Sequence, residues 1–308
     1  MSFELIILGS SSALPTSKRS TAAHLLNMNE RFFLIDCGEG TQIQMRRFRL
    51  SPARINHIFI SHIHGDHVFG LFGLISSLGL MGRKAILNLY GPQGLEEMIR
   101  VHLGFFGTLP FELRFHFAED GKVIYEDSKT EVIPVALLHR AATFGYLFRE
   151  KARLLNVDKD KIEAFDLGVA DIKQVKEGRD HVLSDGTVIP NTELTLPPFK
   201  QRSYAYISDT AYLPEIAERL MEVDLLFHEA TFLEKDIGLA KQTFHSTARQ
   251  AALLARAARA EKLLLGHFST RYKSDALFLE EARAVFPDSV AVNDGDRFKV
   301  EQRRQERD

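Results

Sequence analysis

Three histidines and an aspartate fall within six residues, in the segment Ser61-His62-Ile63-His64-Gly65-Asp66-His67. Imidazole and carboxylate are the groups zinc takes when no thiolate is at hand. Residues 55–61, just before them, read as a buried strand, so the loop at 62–67 delivers several ligand atoms into one small volume. The plain alternative is a polar loop whose histidines are solvated or cap a helix. That reading suits a lone histidine better than four ligand-type side chains together.

The elements that must position this loop follow from the hydrophobic pattern. Residues 3–8 predict a first strand, 24–28 and 31–36 a hairpin pair, and 41–49 a helix. After the His-rich loop come an apolar helix over about 71–81, a strand at 85–90, a Gly91-Pro92 stop and a helix at 95–101. Residues 202–208, 224–228 and 262–266 predict strands, with helices at 213–221 and, alanine-rich, at 248–260. Between them the texture changes: over residues 149–196 apolar residues thin out and charges alternate. Residues 301–308 are all charged or glutamine and read as a disordered tail. Strands come first and last with helices between, which predicts two mixed sheets sandwiched by helices.

The 308 residues are 45% hydrophobic and 26% charged with a formal net charge of -2, so any RNA contact must come from local patches. Cys37 is the single cysteine, which excludes an intramolecular disulfide and fits a reducing cytoplasm. The apolar start is short and lacks a basic leader, so it reads as a strand and not a signal peptide. No run approaches the roughly 20 apolar residues of a spanning helix, and a soluble, cytoplasmic protein with no membrane partner is expected.

His-x-His-x-Asp-His after a strand resembles the signature of the metallo-beta-lactamase superfamily, and 62–67 match it at every ligand position. The resemblance implies an α/β fold, a four-layer αβ/βα sandwich of two mixed sheets flanked by helices, with further ligands at later strand ends. His139 follows the apolar run 132–138, and Asp209 and His267 sit just past the strands predicted at 202–208 and 262–266. By the resemblance, His62, His64 and His139 hold one Zn2+, Asp66, His67 and His267 a second, and Asp209 bridges both. A metal-bridging hydroxide would then attack a phosphodiester, with the ions about 3.5–4 Å apart.

Three further segments are similar to the tRNase Z family. His228-Glu229-Ala230-Thr231 ends a predicted strand, and His245-Ser246-Thr247 opens the alanine-rich helix. The likeness implies His245 as the acid that protonates the leaving oxygen, Glu229 as its orienting carboxylate, and Asp66 beside them in the catalytic set. The loop from Pro15 to Thr21 falls where the family contacts RNA, which makes Lys18 and Arg19 substrate-binding candidates. Residues 149–196 occupy the place of the family's tRNA-gripping arm, and Lys173 and Lys176 resemble the end of its motif. From Arg149 to Asp180, eight Lys/Arg face eight Asp/Glu, so the segment is not basic. Arg46, Arg47, Arg49 and Arg54 form a separate basic patch.

The resemblance therefore implies one catalytic domain over 1–300 with a flexible arm inserted at about 149–196. The implied activity is a zinc-dependent endoribonuclease, a homodimer, removing the 3′ trailer of precursor tRNA and leaving a 3′-hydroxyl. The rival on the same fold is a small-molecule hydrolase, such as a cyclic-nucleotide phosphodiesterase or a thioesterase. The rival of another class is an RNA-binding scaffold on an inactive metallohydrolase.

Overall fold

A computed structural model describes residues 2–105 and 107–305. Contacts divide the chain into two units, one of Met1–Arg149 with Ser203–Val300, the other of Glu150–Arg202 with the residues from Glu301 on.

The first unit holds two seven-stranded sheets. One contains β1 (Phe3–Gly9), β2 (Ala23–Met28), β3 (Arg31–Ile35), β4 (Ile55–Phe59), β5 (Leu87–Gly91) and β6 (Leu113–Phe117) in sequence order. The other is built from β7 (Tyr125–Glu126), β8 (Thr130–Leu137), β9 (Thr143–Glu150), β12 (Ser203–Ile207), β13 (Leu225–Glu229), β14 (Lys262–Gly266) and β15 (Ser289–Ala291). The short pair β10 (His181–Val182) and β11 (Val188–Ile189) lies in the second unit, and β16 (Arg297–Lys299) closes the first sheet beside β1. Both sheets are mixed: β1, β2 and β3 pair antiparallel and β3 to β6 parallel, whereas β12 to β15 are parallel and β9 is antiparallel to β12.

Strand alternation sets the layers. In β1, Phe3, Leu5 and Ile7 face one core while Ile6 and Leu8 face another. The inner core is aromatic, with Phe59 stacked on Tyr90 and Tyr206 on Phe227. Outside the first sheet pack the buried faces of the helices Gly65–Leu80 and Gly94–Leu103. Outside the second pack Ala248–Ala257 and Ala276–Arg283, where Ala248, Ala251, Ala252 and Ala255 allow close approach. The expected sandwich of two mixed sheets flanked by helices is thus the fold.

Two local differences bear on the site. The helix expected from 71 starts at Gly65, so Asp66 and His67 belong to its first turn. Its start is clamped by the loop after β3: Cys37 N donates to His67 O and Gly70 N to Cys37 O. A Cβ on Gly70 would come within 2.0 Å of Gly38 O, so only glycine permits that approach. Residues 213–221, expected as an α-helix, instead form the 3-10 segment Pro214–Leu220.

The second unit carries the helices Lys159–Ala164 and Val169–Lys176, the β10–β11 hairpin and a core of Val157, Leu167, Val175 and Leu194. Its bounds, 150–202, run six residues past the expected end of the arm at 196. At its base Arg202 forms a buried ion pair with Glu150 at 2.8 Å. Within the stretch expected as a tail, Lys200 N donates to Arg303 O and Gln305 N to Pro198 O. The rest of that expectation, 306–308, lies outside the described residues.

Candidate metal centre

Strand ends from both sheets bring the ligand-type residues together at one end of the sandwich. Ile207 pairs with His228 and Glu229 with Gly266, so Asp209, Glu229 and His267 leave neighbouring strands together. His62 and His64 follow β4, and His139 follows β8. Side-chain ligand atoms of His62, His64, His139 and Asp209 lie within 4.8 Å of one another, as do those of Asp66, His67 and His267. Asp209 spans the two groups. Its Oδ2 is 3.7 Å from His62 Nε2, while Oδ1 is 3.5 Å from His67 Nε2 and 3.2 Å from His267 Nε2. Asp66 Oδ2 closes the second group at 3.4 Å and 3.5 Å from the same two histidines. All seven expected ligands therefore converge.

The protons in this set are placed so as to leave room for a cation. Asp36 is fully buried and accepts hydrogen bonds from Ser61 N, Ser61 Oγ, Tyr206 Oη and His67 Nδ1, at 2.7 to 2.8 Å. His67 therefore carries its proton on Nδ1. The Ser61 hydroxyl proton is given to Asp36, so His62 Nδ1, 3.0 Å from Ser61 Oγ, must donate. His139 Nδ1 donates to Phe244 O at 2.9 Å, since a carbonyl only accepts. Each of these rings then turns Nε2 to the cluster, that of His62 lying 3.0 Å from His64 Nδ1. Nε2 of His67 and of His267 is buried with no hydrogen-bond partner. Bare nitrogens and carboxylates around shared gaps are what a bound metal ion satisfies, and the residues fit one.

Burial opposes charge on His67, yet Asp66, Asp209 and Asp36 hold its pKa well above the ordinary imidazole value, so these carboxylates draw a positive charge to the Nε2 side of the ring, as a proton or as a metal ion. Burial likewise raises Asp66, but His67 and His267 draw its pKa far below the usual carboxylate range. The backbone is strained here too: Asp36, Phe244 and His267 have φ of 55°, 59° and 57°.

Beside the cluster, His245 Nδ1 lies 2.8 Å from Glu229 Oε1. Glu229 is fully buried and also takes Thr210 N, Thr231 N and Thr231 Oγ1. Burial disfavours the imidazolium, but Glu229 and then Asp209 and Asp66 outweigh it and raise the His245 pKa to about 9. The His245 ring centroid is 5.1 Å from that of His139 and 5.7 Å from that of His267. It is near enough to Asp209 and His267 for the three to hold an ion. Glu229 occupies its Nδ1, which leaves Nε2 to face outward chemistry.

The substrate-binding candidates divide. Lys18 is exposed and lines a cavity of ≈ 340 Å³ with Thr16, Ser269, Lys273 and Asn293. Arg19 is committed internally: Nη1 donates to Ser10 Oγ and Val292 O, and Nη2 to Asp275 Oδ2 and Asn293 Oδ1. Lys173 and Lys176 are exposed on Val169–Lys176 in the second unit. Arg46, Arg47 and Arg49 are exposed, and Arg54 pairs with Glu30. Asp36 and Thr231 also belong to the site, without a role assigned to either from the sequence. Their signals were the strand end Asp36-Cys37-Gly38 and the last residue of His228-Glu229-Ala230-Thr231.

The model of the beta-lactamase superfamily domain matches residues 161–268, and that of the anti-Pycsar protein Apyc1 matches 3–103. A Bacteroides fragilis (strain YCH46) protein named ribonuclease Z is 47% identical over 295 residues, 95% of this chain and 97% of its own length. Its namesake from Phocaeicola vulgatus is 43% identical over 302 residues, 97% of this chain and 98% of its own. Among solved structures, human tRNase Z, short form, superposes with a TM-score of 0.69 at 25% identity, covering 96% of this chain and 98% of that one. The metallo-beta-lactamase fold protein YhfI from Bacillus subtilis gives 0.71 at 17% identity, over 97% and 100%, a likeness of fold alone. With seven ligand-type residues brought together from the strand ends of both sheets and such identity along nearly its whole length, the chain belongs to the ribonuclease Z family, on the metallo-beta-lactamase fold.

Proposed function

We propose that the protein is a zinc-dependent endoribonuclease that removes the 3′ trailer from precursor tRNA. The observation that carries this is the buried Glu229–His245 pair at 2.8 Å beside the metal-ligand cluster. A thioester, whose thiolate departs readily, needs no such acid, whereas a departing ribose oxygen does. His62, His64 and His139 would hold one ion, Asp66, His67 and His267 another, with Asp209 shared. When bound, the ions supply Lewis acidity, offsetting charge that builds on the phosphate and making water nucleophilic near neutral pH.

The chain's own residues do the rest. Hydrolysis adds water across the P–O3′ bond; the phosphorus keeps the hydroxyl and stays with the trailer. The tRNA O3′ takes a proton from His245 Nε2, because Nδ1 is held by Glu229. Ser61, Asp36 and Phe244 O keep the ligand imidazoles in the tautomer that leaves Nε2 free. Lys18 and the exposed Lys173 and Lys176 offer phosphate contacts. The protein would act as a cytoplasmic homodimer, as the family likeness implies, and no helix among the described residues is long and apolar enough to cross a membrane.

Incubation with a precursor tRNA bearing a 3′ trailer tests the reading. Expected products are a tRNA ending in a 3′-hydroxyl and a trailer with a 5′-phosphate, from protein holding close to two zinc ions per chain. A 3′-phosphate product, or no cut by the metal-loaded protein, would sink it. Faster turnover of a cyclic nucleotide or thioester would favour the small-molecule rival.

A further inference from the structure

Thr231 Oγ1 stands among four polar neighbours: Glu229 Oε2 at 2.6 Å, His267 Nδ1 at 3.0 Å, His267 O at 3.1 Å and His245 Nδ1 at 3.3 Å. The side chain is buried, so water does not arbitrate among them. A hydroxyl has one proton to give. The nearest acceptor, and the charged one, is the Glu229 carboxylate, and a charge-assisted bond of that length outcompetes a carbonyl at 3.1 Å. With its proton so committed, Thr231 Oγ1 can only accept from His267 Nδ1. His245 Nδ1 is closer to Glu229 Oε1, at 2.8 Å, and gives its proton there.

The consequence is one continuous chain: His267 Nδ1–H to Thr231 Oγ1, Thr231 O–H to Glu229 Oε2, and Glu229 Oε1 from His245 Nδ1–H. Thr231 N also donates to Glu229 Oε2, at 3.0 Å, so the same residue fixes the carboxylate through its backbone. His267 is left with a bare Nε2, buried without a partner and 3.2 Å from Asp209 Oδ1. We propose that Thr231 is a positioning residue that couples the two halves of the site, setting the tautomer of the ligand His267 and the orientation of the acid pair from one hydroxyl. The proposal rests on the assigned roles of His267 as ligand and His245 as acid. It adds that Glu229, through Thr231, governs metal affinity as well as proton delivery.

The test uses Thr231→Val, which keeps the shape and removes the hydroxyl, and Thr231→Ser, which keeps the hydroxyl. Zinc affinity is measured by chelator competition without substrate, and turnover on two aryl phosphodiesters that differ in leaving-group basicity. Thr231→Val should bind zinc about 10–100-fold more weakly and, saturated with zinc, lose rate selectively on the poorer leaving group. Thr231→Ser should restore both. Glu229→Gln supplies the second arm, and holds if Thr231→Val does not fold: the coupling requires weaker zinc binding in E229Q as well. Zinc affinity within twofold of the parent in either variant overturns the coupling, as does a valine variant with unchanged leaving-group dependence. Failure of the parent to cut precursor tRNA would instead undermine the proposed function, and leaves the zinc measurement standing.

Discussion

Asp36 Oδ2 lies 2.7 Å from His67 Nδ1, with neither side chain exposed to solvent. The carboxylate is saturated, since Ser61 N, Ser61 Oγ and Tyr206 Oη also donate to it. Removing it strands four buried donors, each costing about 1–3 kcal/mol if nothing replaces the bond. Asp36→Ala is expected to lower the stability of the metal-free protein by several kcal/mol, read from the urea midpoint. Asp36→Asn tolerates the same positive φ of 55° and should cost less, while still weakening zinc about 10–100-fold because His67 loses its anchor. Parental zinc affinity in the asparagine variant would show that His67 needs no such support.

The His245–Glu229 pair predicts a pH signature. The acid is active while protonated, so rate is lost as pH rises through its pKa. That pKa is raised to about 9 against the opposing effect of burial, and cations bound among the neighbouring histidines would bring it down from there. The rate on a poor leaving group should fall along a basic limb at or below about pH 9. His245→Ala should keep its metal, lose about 10²–10⁴-fold and lose that limb. A metal-free preparation of the variant would reassign His245 as a ligand.

Legibility in the sequence follows how local each feature is. The string at 62–67 stands out by its composition, whereas the candidate ligands past β8, β12 and β14 are found only through the superfamily resemblance, which points to strand ends that the apolar runs announce. The first turn of Gly65–Leu80 was not visible, because Gly65, Asp66 and His67 carry no apolar period to extend the helix backwards. The same holds for the second unit, whose core of Val157, Leu167, Val175 and Leu194 is spread over 38 residues, each too isolated to signal by periodicity. The pairing of 301–305 with 198–200 runs through backbone groups that composition does not report. Proton counting at Asp36 and Thr231 needed side chains from several elements together, which no window contains.

Lys18 and Arg19, neighbours in sequence, are expected to behave differently. Lys18 is exposed, and Lys18→Ala should weaken RNA binding with the salt slope reduced by about 0.7–0.9, as for one phosphate contact. Arg19 is spent on four internal hydrogen bonds, one of which is its ion pair with Asp275. Arg19→Ala should leave that slope unchanged and instead lower stability by about 1–3 kcal/mol. A reduced slope for Arg19→Ala, measured by filter binding over a salt series, would return it to the phosphate-contacting set.

The second unit gives the sharpest separation of chemistry from capture. None of the seven ligand-type residues, nor Glu229 or His245, lies in Glu150–Arg202. Replacing that segment with a short Gly/Ser linker joins the ends of β9 and β12, which pair antiparallel through Arg149 and Ser203. Residues from Glu301 on belong to the same unit and should be removed with it. The shortened protein is expected to bind zinc with parental affinity and to turn over a small aryl phosphodiester at near-parental rate. Its kcat/KM for precursor tRNA should fall sharply, because remote binding energy is what holds the scissile bond in place. Charge balance adds a second reading: eight basic residues face eight acidic ones from Arg149 to Asp180. An arm working by phosphate neutralisation would flatten the salt dependence of tRNA binding when deleted. With no excess of positive charge, the slope should change little, and affinity should be lost through contacts that follow the shape of the folded RNA. Unchanged processing of precursor tRNA would mean that the unit does not hold the substrate. Loss of zinc would mean that it supports the centre after all.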